Sequence, residues 1–304
     1  MTNATGARHG LSYVAESVFG TTPGPSPAPS MLRFRYTGTT LNAAKDSFVS
    51  QEVREDRQIV DARHGAKRPA GNMAFELSYG AFDDWLEGAL FGAWSTNVLK
   101  VGTTPKSFSV ERRFTDINKY LVFAGVMVNT FSLQARPNGM ITGSFDVLAA
   151  DVAKGLASLG TPSDVATNAP FDAISGAISE GGSPSAIVTG VDLNLNNNLA
   201  PDFVIGSATA PTIDAGRSNL TGNVTARFPN FDLLDKFLDE TESELSFALQ
   251  DPAGNQLQFD IPRIKYTGGE IPHDTEQSLT LTLPWQGLRD ESESTNFKIT
   301  RTPA

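Results

Sequence analysis

The sequence predicts a mainly β (α+β) protein: two tandem copies of an antiparallel β-sandwich or partly closed barrel, each with a short flanking α-helix. Three observations lead to this prediction. Apolar and polar residues alternate with a period of two in most segments, one segment per copy has helical spacing instead, and similar segments recur at an offset of about 150 residues. A chain of 304 residues is long enough to bury two cores of that size.

The alternating segments predict strands that have one buried face and one wet face. Three leucines alternate with three hydroxyl residues over 278–283, and the same alternation occurs at 257–261 and 131–134. Turn residues separate neighbouring segments, as in the Pro-Asn-Gly run at 137–139 and the Asp-Pro-Ala-Gly-Asn run at 251–255. The sequence therefore favours hairpin-linked, antiparallel strands.

One helix per copy is predicted from apolar residues that recur at three- and four-residue intervals, with acidic residues in the first turn. We expect the apolar stripe of each helix to pack on a sheet. The predicted helix-core residues are Phe82 and Leu86 in the first copy and Phe231, Leu234 and Leu238 in the second.

The internal duplication is carried by short matches that keep the same order in both halves. They are 36–42 with 188–194, 59–62 with 212–215, 71–73 with 222–224, and 82–86 with 231–234. A period this long predicts two domains rather than a solenoid, whose repeats are usually about 20–50 residues.

Gly, Pro and Ser runs suggest the domain boundaries. We divide the chain into an N-terminal arm and Pro-rich stretch at 1–30, a first domain at 31–160, a linker at 161–185 and a second domain at 186–304. The arm has two interpretations: a flexible, polyproline-like terminus, or a segment that orders on a neighbouring subunit.

Composition excludes several classes of protein. The 24 Lys and Arg against 34 Asp and Glu give a net charge of −10, so sequence-specific DNA binding driven by counterion release is not expected. The absence of Cys excludes disulfides, thiolate zinc sites and cysteine nucleophiles. The N-terminus does not resemble a signal peptide, and no apolar run approaches membrane-helix length, so we expect synthesis in the cytoplasm and no membrane anchor.

Catalytic motifs are also missing. The three histidines, His9, His64 and His273, are too far apart in sequence for a zinc-helix motif, and no phosphate-binding loop or nucleophile elbow occurs. Acidic runs at 83–84 and 239–244 have neither calcium-loop spacing nor an acid–base partner. We expect no enzyme activity, catalytic residue, cofactor or metal.

Three segments resemble the large tail tube (major tail) proteins of bacteriophages with long, non-contractile tails, the siphovirus type. They are SYVAESVFGTTP at 12–23, SQEVREDRQIVD at 50–61 and GNMAFELSYG at 71–80. The motifs are clear over residues 10–95; the rest agrees in length and strand pattern.

That resemblance implies a structural virion protein whose homo-oligomeric rings stack into a hollow tube, through which DNA is ejected without sequence-specific binding. It implies as partners the chain itself, the tape-measure protein and the tail terminator and tip proteins, and assembly in the host bacterial cytoplasm. Tubes of this family usually have sixfold rings of single-domain subunits. From the duplication we infer three-chain, pseudo-sixfold rings; six chains with the second copy decorating the outside is the alternative.

Two sets of residues are candidates for roles in such an assembly. Hydroxyl side chains at every second position of two predicted strands would line a polar, weakly acidic lumen, along which DNA would slide. The lumen-facing candidates are Thr142, Ser144, Ser278, Thr280 and Thr282. The loop between Asn42 and Asp61 is a candidate ring-to-ring contact, and its charged residues are Arg54, Glu55, Asp56 and Arg57. A mobile exposed loop is the alternative there. The corresponding stretch of the second copy, 199–212, carries only Asp202 as a charge.

The alternative function is a β-rich receptor- or carbohydrate-binding tail protein or adhesin. Such a protein needs exposed aromatic clusters, and the chain has only Trp85, Trp94 and Trp285, the first of them on a predicted helix.

Overall fold

The computed structural model describes residues 3–24, 26–185, 187–272 and 278–304. These residues form antiparallel strands and two short α-helices, which confirms the predicted mainly β fold class. The first half, to residue 155, contains β1 (His9–Ala15), β2 (Leu32–Arg33), β3 (Gly38–Thr39), β4 (Lys45–Val49), β5 (Ala62–Lys67), β6 (Ala70–Glu76), α1 (Asp83–Leu90), β7 (Val98–Lys100), β8 (Phe108–Phe114), β9 (Lys119–Ala135), β10 (Thr142–Leu148) and β11 (Asp151–Gly155).

The second half has a similar succession of elements. It contains β12 (Ala177–Glu180), β13 (Ser183–Pro184), β14 (Val188–Asn196), β15 (Ala200–Asp202), β16 (Thr212–Asp214), β17 (Asn219–Arg227), α2 (Asp232–Leu238), β18 (Ser243–Gln250), β19 (Gln256–Tyr266), β20 (Thr280–Gly287) and β21 (Lys298–Thr302). The only other helical element in the described chain is a 3₁₀ turn at Gly6–Arg8.

The first half is a two-layer sandwich in which β9 belongs to both layers. The beginning of β9 pairs with β8 and β11 in the layer that also contains β1 and β2. Its end pairs with β10 in the layer that also contains β6 and β3. The strand changes layer at Gly125, whose φ of 63° is in the left-handed region that favours glycine.

The second half repeats these partnerships strand for strand. Its first layer consists of β13, β12, β18, the beginning of β19 and β21. Its second layer consists of β14, β17, β20 and the end of β19. Even the irregularities correspond, because the β8–β9 register shifts between Phe108 and Val110 and the β18–β19 register shifts between Ser243 and Leu245.

The second layers of the two halves are joined by hydrogen-bonded pairing of β9 with β14. Six consecutive pairs run from Val191 opposite Ala135 to Asn196 opposite Thr130. The result is one eight-stranded surface with the order β3–β6–β10–β9–β14–β17–β20–β19, which we call the joined sheet. Within the described residues it does not close on itself, and β3 and the end of β19 are its two edges.

The core lies between the joined sheet and the other layers and is strongly aromatic in the first half. Helix α1 fills this half: Trp85 is fully buried, and its ring lies 4.5 Å from that of Phe108. Phe82 and Leu86 are each 1% exposed, as the helical spacing predicted. Such aromatic contacts add to the burial energy of the side chains.

Helix α2 is packed much less tightly, and two predicted core residues are wrong. Leu234 is half-buried, but Phe231 and Leu238 are 59% and 64% exposed. In the first half, a segment around Phe171 closes the end of the sandwich, where its N–H donates to the carbonyl of Leu77. No described segment makes the corresponding contact in the second half, so the apolar face of α2 is left partly uncovered.

Segments assigned to the arm and the linker contribute strands to the sandwich. Residues 9–15 form β1, which pairs with β8 of the same chain and buries Leu11 and Tyr13. Residues 177–180 form β12, which pairs with β18. Neither helix of the described chain has the length and hydropathy needed to cross a membrane.

The difference between the helices leads to a prediction about stability. Leu86→Ala should lower the free energy of unfolding by about 2–5 kcal/mol, because it leaves a cavity beside buried aromatic rings. The matched substitution Leu238→Ala should cost less than about 1 kcal/mol in the unassembled chain, because that side chain is mostly in water. Chemical denaturation of both variants checks this, and equal losses would contradict the packing described for the two helices.

Candidate functional site

The wet face of the joined sheet is an extended polar surface built from both halves of the chain. Strand register aligns its side chains in rows across six strands. One row is Ala74, Ser144, Ser132, Asn194, Thr221 and Gln286, and the next is Glu76, Thr142, Gln134, Asp192, Asn223 and Pro284. At about 4.8 Å between strands, each row is about 24 Å long.

Hydrogen bonds run along these rows. The hydroxyls of Ser132 and Ser144 are 2.8 Å apart, and the Gln134 amide donates to Asp192 at 3.1 Å, across the boundary between the halves. The second carboxylate oxygen of Asp192 accepts from Arg136 at 2.7 Å. The polar face is therefore well satisfied without a ligand.

The electrostatic character of the two rows is weakly acidic. Their only ionisable groups are Glu76 and Asp192, and neither row contains Lys or Arg. Uncharged amides and hydroxyls fill most of the remaining positions. Cations lie at the margins of the face, where Lys265 on β19 pairs with Gln286, Arg227 pairs with Thr280, and Arg136 donates to Asp192.

The structure brings most of the predicted lumen-facing residues to this face. Thr142 and Ser144 are in the two rows, and Thr282 and Thr280 extend the same face of β20, opposite Thr225 and Arg227. Ser278 precedes β20 and is exposed. That these residues line a lumen stays a prediction.

Sequence reasoning missed the residues of β14 and β17 that occupy the middle of the face, namely Asp192, Asn194, Thr221 and Asn223. Alternating polar positions were visible in both segments, but the sequence does not say which strands are neighbours. The rows appear only once the register of the β9–β14 pairing is known.

The predicted ring-contact residues lie on a protruding hairpin. Strands β4 and β5 form a separate two-stranded sheet, and the loop between them carries Arg54, Glu55, Asp56 and Arg57, all exposed. Arg54 and Asp56 form an ion pair at 3.3 Å. Val53 and Ile59 on the same loop are 96% and 71% exposed. The loop therefore exposes apolar as well as charged side chains.

The second half carries a shorter hairpin, β15–β16, beside the first. The backbone N–H of Lys67 at the base of the first hairpin donates to the carbonyl of Ala208, and Arg68 lies 4.4 Å from the ring centroid of Phe203. Val204 and Ile205 at the tip of the second hairpin are exposed. The two hairpins therefore lie side by side, and each has exposed apolar residues in its loop.

Arg112 lies at the β3 edge of the joined sheet. Its guanidinium donates to the carbonyl of Leu41, to Asn42 Oδ1 at 2.8 Å and to His9 Nε2 at 3.0 Å. Burial, together with the Arg112 charge, lowers the pKa of His9 from its ordinary value, so His9 is neutral near pH 7 and can accept this bond.

The remaining candidate binding or catalytic residues are at separate positions in the fold. His64 is exposed on β5, and His273 lies outside the described residues. In the part of the chain that the structure describes, no group of three or more His, Asp or Glu side chains could hold a metal ion. Trp85 and Trp285 are buried and Trp94 is half-buried under Arg301, so none of the tryptophans forms an exposed platform for a sugar ring.

The fold thus presents an extended polar sheet face with two unpaired edges. The model of the phage tail tube protein family matches residues 6–287, nearly the whole chain. The chain belongs to the phage tail tube protein family and is a structural component of the virion tail. No curated protein matches it.

Proposed function

We propose that the chain polymerises into rings that stack into the hollow tail tube, and that DNA is ejected through the lumen of this tube. The observation that carries the proposal is the joined sheet: eight strands in one continuous surface, apolar towards the core, polar on the other face, with an unpaired edge at each end. Unpaired edges recruit further strands unless they are covered.

We further propose that the two halves are copies of one domain and that three chains make a pseudo-sixfold ring. The strand partnerships that repeat between the halves support the duplication. The β9–β14 pairing supports three chains rather than six, because it makes the second half a continuation of the same wall instead of an outer decoration.

The dimensions fit a conduit for DNA. Eight strands from each of three chains give about 24 strands, and at about 4.8 Å spacing with a tilt of about 40° they enclose a ring about 48 Å across between backbones. Side chains narrow this opening but leave room for a duplex. The polar rows would face the lumen, and the absence of Lys and Arg from these six-strand rows would reduce the number of binding wells that slow a moving polyanion.

We assign the β4–β5 hairpin to contacts between stacked rings. Exposed charges at its tip and exposed Val53 and Ile59 beside them support this assignment. A two-stranded hairpin is marginally stable by itself, so contacts with a neighbouring ring would also stabilise it. The tape-measure, terminator and tip proteins would meet the lumen and the two ends of the finished tube.

Electron microscopy of the purified chain tests the proposal as a whole. We expect rings or tubes at high protein concentration, with threefold symmetry when rings are viewed end-on. Sixfold rings of complete chains would contradict the three-chain arrangement. Particles that stay monomeric under all conditions would contradict polymerisation.

A thiol-accessibility experiment tests the lumen assignment, since the chain has no native Cys. In assembled tubes, Asn194→Cys should react with a small maleimide but not with a maleimide-bearing protein wider than the lumen. Ala153→Cys, on the exposed face of β11, should react with both reagents, and in unassembled chains both variants should react with both.

Reaction of Asn194→Cys with the large reagent in intact tubes would place the polar rows on the outside and would overturn the assignment.

Charge reversal tests the hairpin assignment. The double substitution Arg54→Glu and Arg57→Glu should leave the fold intact, with a change in unfolding free energy within about 0.5 kcal/mol, because both side chains are in water. It should shorten tubes or leave single rings in electron micrographs. Lys154→Glu, an exposed charge reversal on β11, should leave tube length unchanged. Normal tubes from the double variant would rule out this role.

A further inference from the structure

The pairing of the two halves inside one chain supplies a template for the contact between two chains. Within the chain, the end of β9 in the first half pairs with β14 at the start of the second. The elements in the same positions at the outer ends of the joined sheet are the segment that directly follows β19, bridged to β20 at Glu270, and the segment around β3. Both lack a strand partner on their outer side among the described residues.

The correspondence between the halves can be made residue by residue. Ile264 is paired with Ser243 just as Val126 is paired with Phe108, at the same register shift. Counting equally along both strands, Glu270 corresponds to Ser132. An independent contact agrees, because Glu270 bridges to Thr282 on β20 where Ser132 pairs with Ser144 on β10.

The other edge is aligned in the same way. Gly38 lies opposite Ala74 on β6, and Gly190 lies opposite Thr225 on β17. Counting equally from these glycines, Leu41 corresponds to Leu193 and Asn42 to Asn194. In the β9–β14 pairing, Leu193 faces Leu133 and Asn194 faces Ser132.

We propose, resting on the ring assembly above, that residues 40–44 of one chain pair antiparallel with residues 268–272 of the next, in the register of the β9–β14 pairing. Leu41 then lies opposite Ile271, and Asn42 opposite Glu270. The partner is a second copy of this chain, and repetition of the contact closes the ring without any further element.

The directions of the outward-facing backbone groups agree with this register. The N–H groups of Thr40 and Asn42 donate to β6, so the N–H and C=O of Leu41 between them point away from the sheet, to the open edge. At the other edge, Glu270 exchanges both backbone hydrogen bonds with Thr282, so the backbone of Ile271 points outwards. The register therefore places two outward-facing residues opposite each other.

Pro272 is compatible with this pairing. It follows Ile271, so its backbone faces β20 in the same sense as that of Glu270, and its missing N–H is on the inner side rather than on the free edge. A proline at the outward-facing position would remove a donor and block pairing with another chain.

Side-chain chemistry at the contact is complementary. Arg112 already lies 2.8 Å from Asn42 Oδ1, so a neighbouring Glu270 opposite Asn42 would come within reach of the guanidinium. On the dry face, Leu41 is fully buried and Ile271 is half-buried, and their counterparts Leu193 and Leu133 are buried at the internal junction.

Arg112 also protects the open edge of the sheet before assembly. Its bond to the Leu41 carbonyl occupies one lone pair of the outward-facing oxygen, while the Leu41 N–H donates to Thr39 Oγ1 at 3.2 Å. A charged group over an open edge discourages indiscriminate strand addition. On assembly the Leu41 N–H would exchange Thr39 Oγ1 for the carbonyl of Ile271, and the second lone pair of the Leu41 carbonyl would accept from the partner strand. Glu270 would supply the matching charge.

Disulfide cross-linking tests the register, because the chain has no Cys of its own. The Asn42–Glu270 pair is a non-hydrogen-bonded pair, with Cα atoms about 4.5–5.5 Å apart, which suits a disulfide. Asn42→Cys with Glu270→Cys should give covalent dimers and trimers on a non-reducing gel and no larger species, since three chains close the ring.

The matched control is Thr40→Cys with Glu270→Cys, in which one thiol is displaced by two residues on the same face. Its Cα atoms would be about 7 Å or more apart, so cross-linking should be at least about fivefold weaker. Electron microscopy of each reduced sample shows whether assembly itself is intact.

The outcomes separate the two proposals. Rings that form without preferential cross-linking of the Asn42–Glu270 pair would overturn the register and leave the ring proposal standing. Absence of rings and of cross-links in every variant would contradict both. If the double-cysteine chain fails to fold, charge substitutions at Glu270 and Asn42 test the register instead.

For the charge pair, Glu270→Lys should raise the protein concentration needed for ring formation by about tenfold, because it puts a cation beside Arg112. Adding Asn42→Glu should return the protein concentration needed for ring formation to within about threefold of the value for the unmodified chain. Failure of the second substitution to restore assembly would contradict the register.

Discussion

The joined sheet depends on one contact, the hydrogen-bonded pairing of β9 with β14. Without it the polar face would be divided between two four-stranded layers, each with its own edges, while the pairing of β7 with β21 would still connect the two halves. With it, two four-stranded layers become one eight-stranded wall, and the number of open edges falls to two. Because backbone groups at an edge need partners, the same physics that joins the halves leaves the chain prepared to join its neighbours.

Periodicity predicted which residues share a face, and this part of the sequence analysis agrees with the structure. Thr142 and Ser144 lie on the polar side of β10 because alternate side chains of a strand point to opposite faces. The same alternation is present at Leu11 and Tyr13, both buried in β1. The Pro-rich composition of the residues that follow β1 predicts an arm, but it does not extend to this strand.

The sequence could not show which strands are neighbours in the sheet or which elements pack on each apolar face. The rows of Ser, Thr, Asn and Gln exist because of a register between strands far apart in sequence, and no local pattern encodes that register. Helical spacing placed Phe231 and Leu238 on one face of α2 but could not reveal that this face has little packed against it. Amphipathicity specifies a direction, whereas burial depends on what lies in that direction.

The distribution of charge fits a protein whose surfaces have different tasks. The chain as a whole is acidic, yet the two polar rows contain only Glu76 and Asp192 as ionisable groups. The hairpin tip carries four charged residues, and Arg112 lies at the edge where a contact with another copy is proposed. In the proposed assembly these charges would serve specificity between chains, while mostly neutral polar groups would line the surface along which a polyanion passes.

Hydrogen exchange of backbone amides, compared between unassembled chains and tubes, tests the central claim most directly. The account predicts that amides at 191–196 exchange slowly in both states, while outward-facing amides at 40–44 and 268–272 exchange rapidly in single chains and become protected in tubes. Tubes in which both edges still exchange as rapidly as in the single chain would show that the joined sheet does not extend between subunits.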